Sequence, residues 1–167
     1  VVGLNLCPFA KSVVVKDMVR YRVCASSDPA DVLALLREEL QHLAKADPAV
    51  LDTTLLIAPY ALPDFLDFND FLAACDDVLV DLALEGVLQV ADFHPQYQFG
   101  GTDVDDVENF TNRTPYPTLH LLREASIDKA VDVYPDAAMI FERNIETLQQ
   151  LGHAGWAQLG IAARLHN

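Results

Sequence analysis

Asp92 and His94 lie two residues apart in Val87-Leu-Gln-Val-Ala-Asp-Phe-His94. In an extended strand that spacing puts both side chains on one face. An imidazole beside a carboxylate can serve as a general base, or as a metal ligand whose tautomer the acid fixes. A histidine hydrogen-bonded to backbone groups is the competing reading. A richer cluster follows in Asn112-Arg-Thr-Pro-Tyr-Pro-Thr-Leu-His-Leu-Leu-Arg-Glu124. Pro117 predicts the first position of a helix running through about Val131, its N–H groups open to an anion. On such a helix His120 and Glu124, four residues apart, share a face, with Arg123 beside them and Arg113 just before. Together with Asn112 and Tyr116 these groups suit a carboxylate or a phosphate. Structural salt bridges to nearby acids are the other use for the two arginines. Cys7, in Asn5-Leu-Cys-Pro-Phe9, is a nucleophile or ligand if it meets a histidine, and a core residue otherwise. The candidate catalytic set is therefore Cys7, Asp92, His94, His120 and Glu124. The candidate ligand-binding set is Asn5, Asn112, Arg113, Tyr116 and Arg123.

Cys7, His94 and His120 with Asp92 or Glu124 are acceptable ligand types for zinc or iron. None has a diagnostic spacing such as HExxH or CxxC, so no metal ligand is assigned and the cofactor stays open. Asp103-Val-Asp-Asp-Val-Glu108 is acidic but lacks the glycine and terminal glutamate of an EF-hand, and reads as a solvated turn. P-loop, dinucleotide-binding and nucleophile-elbow signatures do not occur.

Charge narrows the partners. The chain has a formal charge of −14, and Ala46–Asn112 contains no lysine or arginine while holding 14 of the 25 acids. That leaves 11 acids against all 11 bases, so the net charge resides in the middle of the chain. Such a surface repels phosphate backbones and argues against nucleic acid. It reads as a solvated face or as a docking face for a basic partner. No apolar run approaches the roughly 20 residues of a membrane span. Val1–Pro8 does not read as a signal peptide, and Cys7, Cys24 and Cys75 suggest no disulfide framework, which predicts reduced thiols in the cytoplasm. Oligomeric state is left open.

The elements that must position these residues follow from periodicity. Val13–Val15 reads as the tail of a helix, and Tyr21–Ala25 as a short strand. Asp28-Pro29 opens an amphipathic helix whose stripe is Val32, Leu35, Leu36, Glu39, Leu40 and Leu43, stopped at Asp47-Pro48. Thr53–Ala58 is a buried strand. A helix from Asp64 to Glu85 is closed by Gly86, and Val87–Phe93 is a third strand. Residues 96–116 form a long loop with one short helix after Thr102, and loops of this length often carry function. A helix over Ile140–Leu151 is closed by Gly152, with a short helical tail. This order predicts a single domain over 1–167 of α/β class: a small, mostly parallel three- to four-stranded sheet covered by helices. A two-layer ferredoxin-like α+β arrangement is the alternative, and needs a fourth strand that the pattern does not reveal.

Four blocks, Gly3–Ala10, Phe93–Phe99, Asn112–Glu124 and Glu142-Arg-Asn144, resemble a bacterial family known only as a domain of unknown function (number 1415). The resemblance spans nearly the whole chain, with Thr114 where serine is expected. It implies no activity, cofactor or fold, but its blocks coincide with the polar clusters above. The first expectation is a small-molecule enzyme acting on an anionic metabolite through a Cys/His/Arg pocket. Alternatives are a non-catalytic receptor for such a molecule, and an interaction protein using the acidic central face.

Overall fold

The computed structural model describes residues 1–7, 9–133 and 139–161. Its frame is a four-stranded mixed sheet in the order β1-β2-β4-β3, made of Val19–Val23, Thr53–Ile57, Thr118–Arg123 and Leu88–Phe93 respectively. Strand β1 is parallel to β2, and β4 is antiparallel to both β2 and β3. Strands β1, β2 and β3 therefore all run one way, and β4 runs against them between β2 and β3. The α/β reading holds. The fourth strand lies where the sequence predicts a helix.

That difference has a physical cause. Leu119 and Leu121 are buried on one side of β4 and Thr118, His120 and Leu122 face the other, a period of two. A central strand needs apolar residues on both sides, so its pattern blurs into helical spacing. Pro117 precedes β4, and its carbonyl accepts from Ala58. The helix, α4, starts only at Glu124 and runs to Val133. His120 and Glu124 thus share no helix face, and no open helix end exists at Pro117.

Helix α2 (Pro29–Lys45) starts where expected: the Asp28 carboxylate accepts from the Ala30 N–H at 2.9 Å, and Pro29 needs no donor there. Helix α3 (Phe65–Asp81) is capped by Asp64, which accepts from Leu66 and Asp67. It ends four residues before the predicted Glu85. Both helices pack on one side of the sheet. Leu36, Leu40 and Leu43 of α2 and Phe68, Cys75 and Val78 of α3 meet Leu56, Leu119 and Leu121 in the main core. Phe68 is among the largest side chains fully buried there. Phe68→Ala is expected to cost about 3–5 kcal/mol, read as a shift in the urea midpoint.

Arginines on the first strand also turn toward the helices. Arg20 makes two contacts with the buried Glu39 carboxylate of α2, at 2.7 and 3.3 Å. Arg22 Nε lies 2.8 Å from the same group, an ion contact in which the N–H is not aimed at the oxygen. The opposite side of the sheet has Leu55, His120 and Ala91 in one row and Ile57, Thr118 and Phe93 in the next, with Tyr21 and Val23 at the β1 edge.

A second, smaller core joins the N-terminal segment to the last helix. Leu6, Phe110 and Leu148 are buried together, with Trp156 and Leu151 against them. Leu148 belongs to α5 (Ile140–Gln158), which is broken at Gly152, the predicted stop, where φ is 61°. A short helix α1 (Ala10–Val15) follows the N-terminal segment. Among the described residues no helix is long and apolar enough to cross a membrane.

Candidate functional site

The long segment after β3 is ordered by buried polar side chains rather than by regular structure. Asn109 sits in a 3-10 turn (Val107–Asn112) and is fully buried. Its Oδ1 accepts from the Phe99 N–H at 2.9 Å and from the Thr102 hydroxyl at 2.8 Å, while Nδ2 donates to the Asp103 carbonyl at 2.8 Å. One side chain thus satisfies a whole turn, as a buried amide must. Arg113 spans the same segment, donating through Nε to the Tyr97 carbonyl at 3.0 Å and through a terminal nitrogen to the Val104 carbonyl at 2.7 Å. Its guanidinium lies 4.8 Å from the Phe110 ring centroid. Burial lowers its pKa, with Asp105 acting in the opposite sense. The two bonds use two of five N–H donors.

His94 is buried between aromatic rings, 5.1 Å from Phe68 and 5.5 Å from Phe65. Nδ1 accepts from the Gln96 N–H at 3.1 Å, and Nε2 lies 3.0 Å from the Leu62 carbonyl, which only accepts. The ring is therefore the neutral tautomer with its proton on Nε2, and burial lowers its pKa. Both nitrogens are spent on backbone, so the use of Asp92 as its orienting acid is not what the fold builds. Asp92 instead bonds the Tyr97 hydroxyl, which also interacts with the Asn112 side chain. Asn112 Nδ2 also donates to the Asp92 carbonyl at 3.3 Å, and the His94 N–H donates to the Asn112 carbonyl at 3.1 Å. Desolvation raises the pKa of both Asp92 and Tyr97.

The remaining candidates are dispersed. His120 lies on the sheet side away from α2 and α3, whereas His94 lies on the side of α3. Arg123 is at the far end of β4, donating to the carbonyls of Leu43, Ala46 and Leu51. Those are the C-terminal carbonyls of α2 and its loop, so the guanidinium caps a helix rather than facing a ligand. Glu124 begins α4, its N–H bonded to the Val87 carbonyl. Tyr116 offers its carbonyl to the hydroxyls of Thr114 and Thr118. Cys7 is partly buried in the loop before α1, and Cys75 is buried with its thiol pushed up to about 12. Among the described residues no three His, Cys, Asp or Glu side chains gather as a metal site, so the Cys7–His94–His120 set does not assemble.

What does assemble is a cleft of about 250 Å³ lined by Pro95, Phe110, Arg113, Thr114, Pro115, Trp156 and Ile161. Trp156 stacks on Phe110 with centroids 4.8 Å apart. A second hollow of about 320 Å³ lies between Asn5 and the Arg143–Gln150 part of α5, where Asn144 Nδ2 donates to the Leu6 carbonyl at 2.9 Å. Asn5 adopts a left-handed φ of 53°, which asparagine tolerates better than most residues. One part of each sequence block borders these two hollows, through Asn5, Pro95, Arg113 and Asn144, while Thr118–Arg123 lies in the sheet. Tyr97, Asn109, Phe110 and Trp156 are the residues that sequence reasoning missed. The one usable signal was their position: three lie in the long loop, and Trp156 is the sole tryptophan.

Comparison with curated proteins and with solved structures returns no significant match. Residues 1–158 match the family described as "Protein of unknown function (DUF1415)", and the chain belongs to that family.

Proposed function

We propose that this protein binds a small anionic molecule with a flat apolar body in the cleft between the 95–115 segment and the end of α5. The observation that carries the reading is the convergence of Arg113 and Trp156, 43 residues apart in the numbering, on one cleft with Phe110 as a third wall. An arginine with donors to spare supplies a charge-assisted contact, and the aromatic walls supply area at little entropic cost. Cys7, His94, His120 and Glu124 do not line this cleft. A receptor therefore fits better than the Cys/His enzyme.

Catalysis has one observation in its favour. Asp92 and Tyr97 form a hydrogen-bonded pair of groups that hold protons more firmly than usual, and Tyr97 is tied to Arg113 through its carbonyl. Such a pair can hold a proton for transfer, but neither side chain lines the cleft. Tyr97→Phe removes the hydroxyl and would separate turnover from binding.

The sole tryptophan makes binding directly readable. Benzoate and phenyl phosphate are expected to change Trp156 emission saturably, with benzamide as the uncharged control giving at least tenfold weaker response. Arg113→Gln is expected to lose the anion response by tenfold or more. Because Arg113 also ties the loop, Thr114→Val, which leaves those two bonds in place, serves as the second variant. An intact wild-type fold with no saturation at millimolar probe, read by fluorescence and calorimetry, would reject the cleft as a receptor.

A further inference from the structure

The two edges of the sheet are finished differently. Strand β3 forms one edge, and most of its outward groups are taken up. The Leu88 N–H donates to the Leu84 carbonyl, Asn112 Nδ2 to the Asp92 carbonyl, and the His94 N–H to the Asn112 carbonyl. Strand β1 forms the other edge. Its even-numbered residues bond β2: the Met18 carbonyl accepts from Thr53, and the Cys24 N–H donates to Ile57. Alternation then turns the N–H and C=O of Val19, Tyr21 and Val23 outward. None of these six groups has a hydrogen-bond partner among the described residues. They form a row about 13 Å long. Tyr21 is 60% and Val23 58% exposed, so one flank of this row is open to solvent. The strand, Val-Arg-Tyr-Arg-Val, has no proline, glycine or lysine of the kind that blunts a free edge. Its only charges are Arg20 and Arg22, on the helix side, with side chains 36% and 41% exposed. Glu39 is the one carboxylate that either pairs with among the described residues, so two guanidiniums share one acid. Arg20 donates to it, whereas Arg22 makes no hydrogen bond among the described residues.

We infer that β1 takes up an extended segment of a partner protein as a fifth strand, one in which carboxylates alternate with apolar side chains. Main-chain groups provide the attachment, and alternate side chains choose the partner. An added strand lies about 4.8 Å from β1, with its residues falling in turn beside the arginines and beside Tyr21 and Val23. A carboxylate on the first side meets a positive surplus and the uncommitted donors of Arg22. An apolar side chain on the second covers Tyr21 and Val23. A basic segment would set a third cation beside two that share one acid. The β1 edge of a second copy is disfavoured on the same ground, because it brings arginines against arginines. A free phosphate or a nucleic-acid backbone offers acceptors only, and leaves the three outward carbonyls without donors. The net charge of −14 does not prevent the attraction locally: residues 1–45, which hold β1 and α2, carry six bases and five acids.

Fluorescence anisotropy with a labelled nonapeptide of alternating glutamate and valine tests this. The controls are a lysine–valine peptide and the glutamate peptide with its amides N-methylated. The expected result is saturable binding below 1 mM, at least tenfold tighter than either control, with slowed amide exchange at Tyr21 and Val23. Arg22→Gln removes no hydrogen bond of the fold and leaves Arg20 on Glu39. It is expected to weaken the glutamate peptide at least fivefold and the lysine peptide not at all. Val23→Pro deletes one outward N–H at an edge position where proline is tolerated, and is also expected to weaken binding. No saturation at 1 mM by wild-type protein with a cooperative urea transition overturns the inference. So does equal binding of either control peptide, or binding indifferent to Arg22→Gln. A wild-type chain that dimerises in sedimentation velocity, and loses the dimer in Val23→Pro, overturns it in favour of a second copy on this edge.

Discussion

Arg123→Met is expected to lower the unfolding free energy by about 3 kcal/mol or more, with little change in probe binding by whatever protein remains folded. The guanidinium is buried and makes four hydrogen bonds to three carbonyls, the shortest 2.6 Å to Leu43. Those carbonyls belong to the last turn of α2 and the segment after it, where helical donors run out, although the Ala46 N–H still reaches the Leu43 carbonyl at 3.2 Å. A positive charge at that end also opposes the negative pole of the helix dipole. Methionine keeps the stem but removes the guanidinium donors, at about 1–3 kcal/mol for each carbonyl left without a partner before relaxation. Lysine is expected to recover only part of the loss, since one ammonium cannot reach three carbonyls with the geometry of a planar fork. Urea denaturation of the three proteins decides the matter. An Arg123→Met variant of wild-type stability that fails to bind benzoate would return Arg123 to the ligand site.

Acid should weaken the fold well above the range where carboxylates titrate. His120 is partly buried beside Phe93 on the sheet side away from α2 and α3, and desolvation pushes its pKa down to about 4, with Asp52 acting the other way. His94 is lowered for the same reason. An unfolded chain takes up a proton on each histidine near pH 6.5, while the folded chain holds them neutral to lower pH. The unfolded state then binds more protons, so stability falls as pH drops from about 6.5 toward 4. For His120 the shift corresponds to at most about 3 kcal/mol, less whatever solvent reaches the ring. Asp92 works in the opposite sense, because a raised carboxyl pKa stabilises the fold on protonation. His120→Leu suits its apolar neighbours and is expected to flatten the unfolding free energy between pH 6.5 and 4. An unchanged slope in that variant would show that the imidazole is solvated.

Sequence patterns located most of the frame and little of the chemistry. Asp28-Pro29, the leucine stripe of α2 and the runs at Thr53 and Leu88 are local signals, and local interactions decide those elements. Strand β4 was illegible because its partners determine it: Leu119 pairs with Leu56 on one side and Asp92 on the other, far away in the chain. Alternation correctly put Asp92 and His94 on one side of β3. It could not say that His94 would find the Leu62 carbonyl, or that Arg123 would find Leu43, 80 residues back. Residue type names a capability, and the competing buried carbonyls decide whether it is spent on the fold. The cleft was hidden for the converse reason. Phe110 and Trp156 carry no motif, and only the docking of α5 onto the 3-10 turn turns two ordinary aromatics into walls.

The antiparallel strand wedged between two parallel neighbours has a consequence for synthesis. When β3 leaves the ribosome, β1 and β2 can already be joined, but β3 has no edge to bond because its place is one strand away from β2. A gap one strand wide must stay open until residues 118–123 arrive, some thirty residues later, and enter as a central plank with hydrogen bonds on both sides. Truncations that stop before that plank keep every helix of the main core and still lack the piece that closes the sheet.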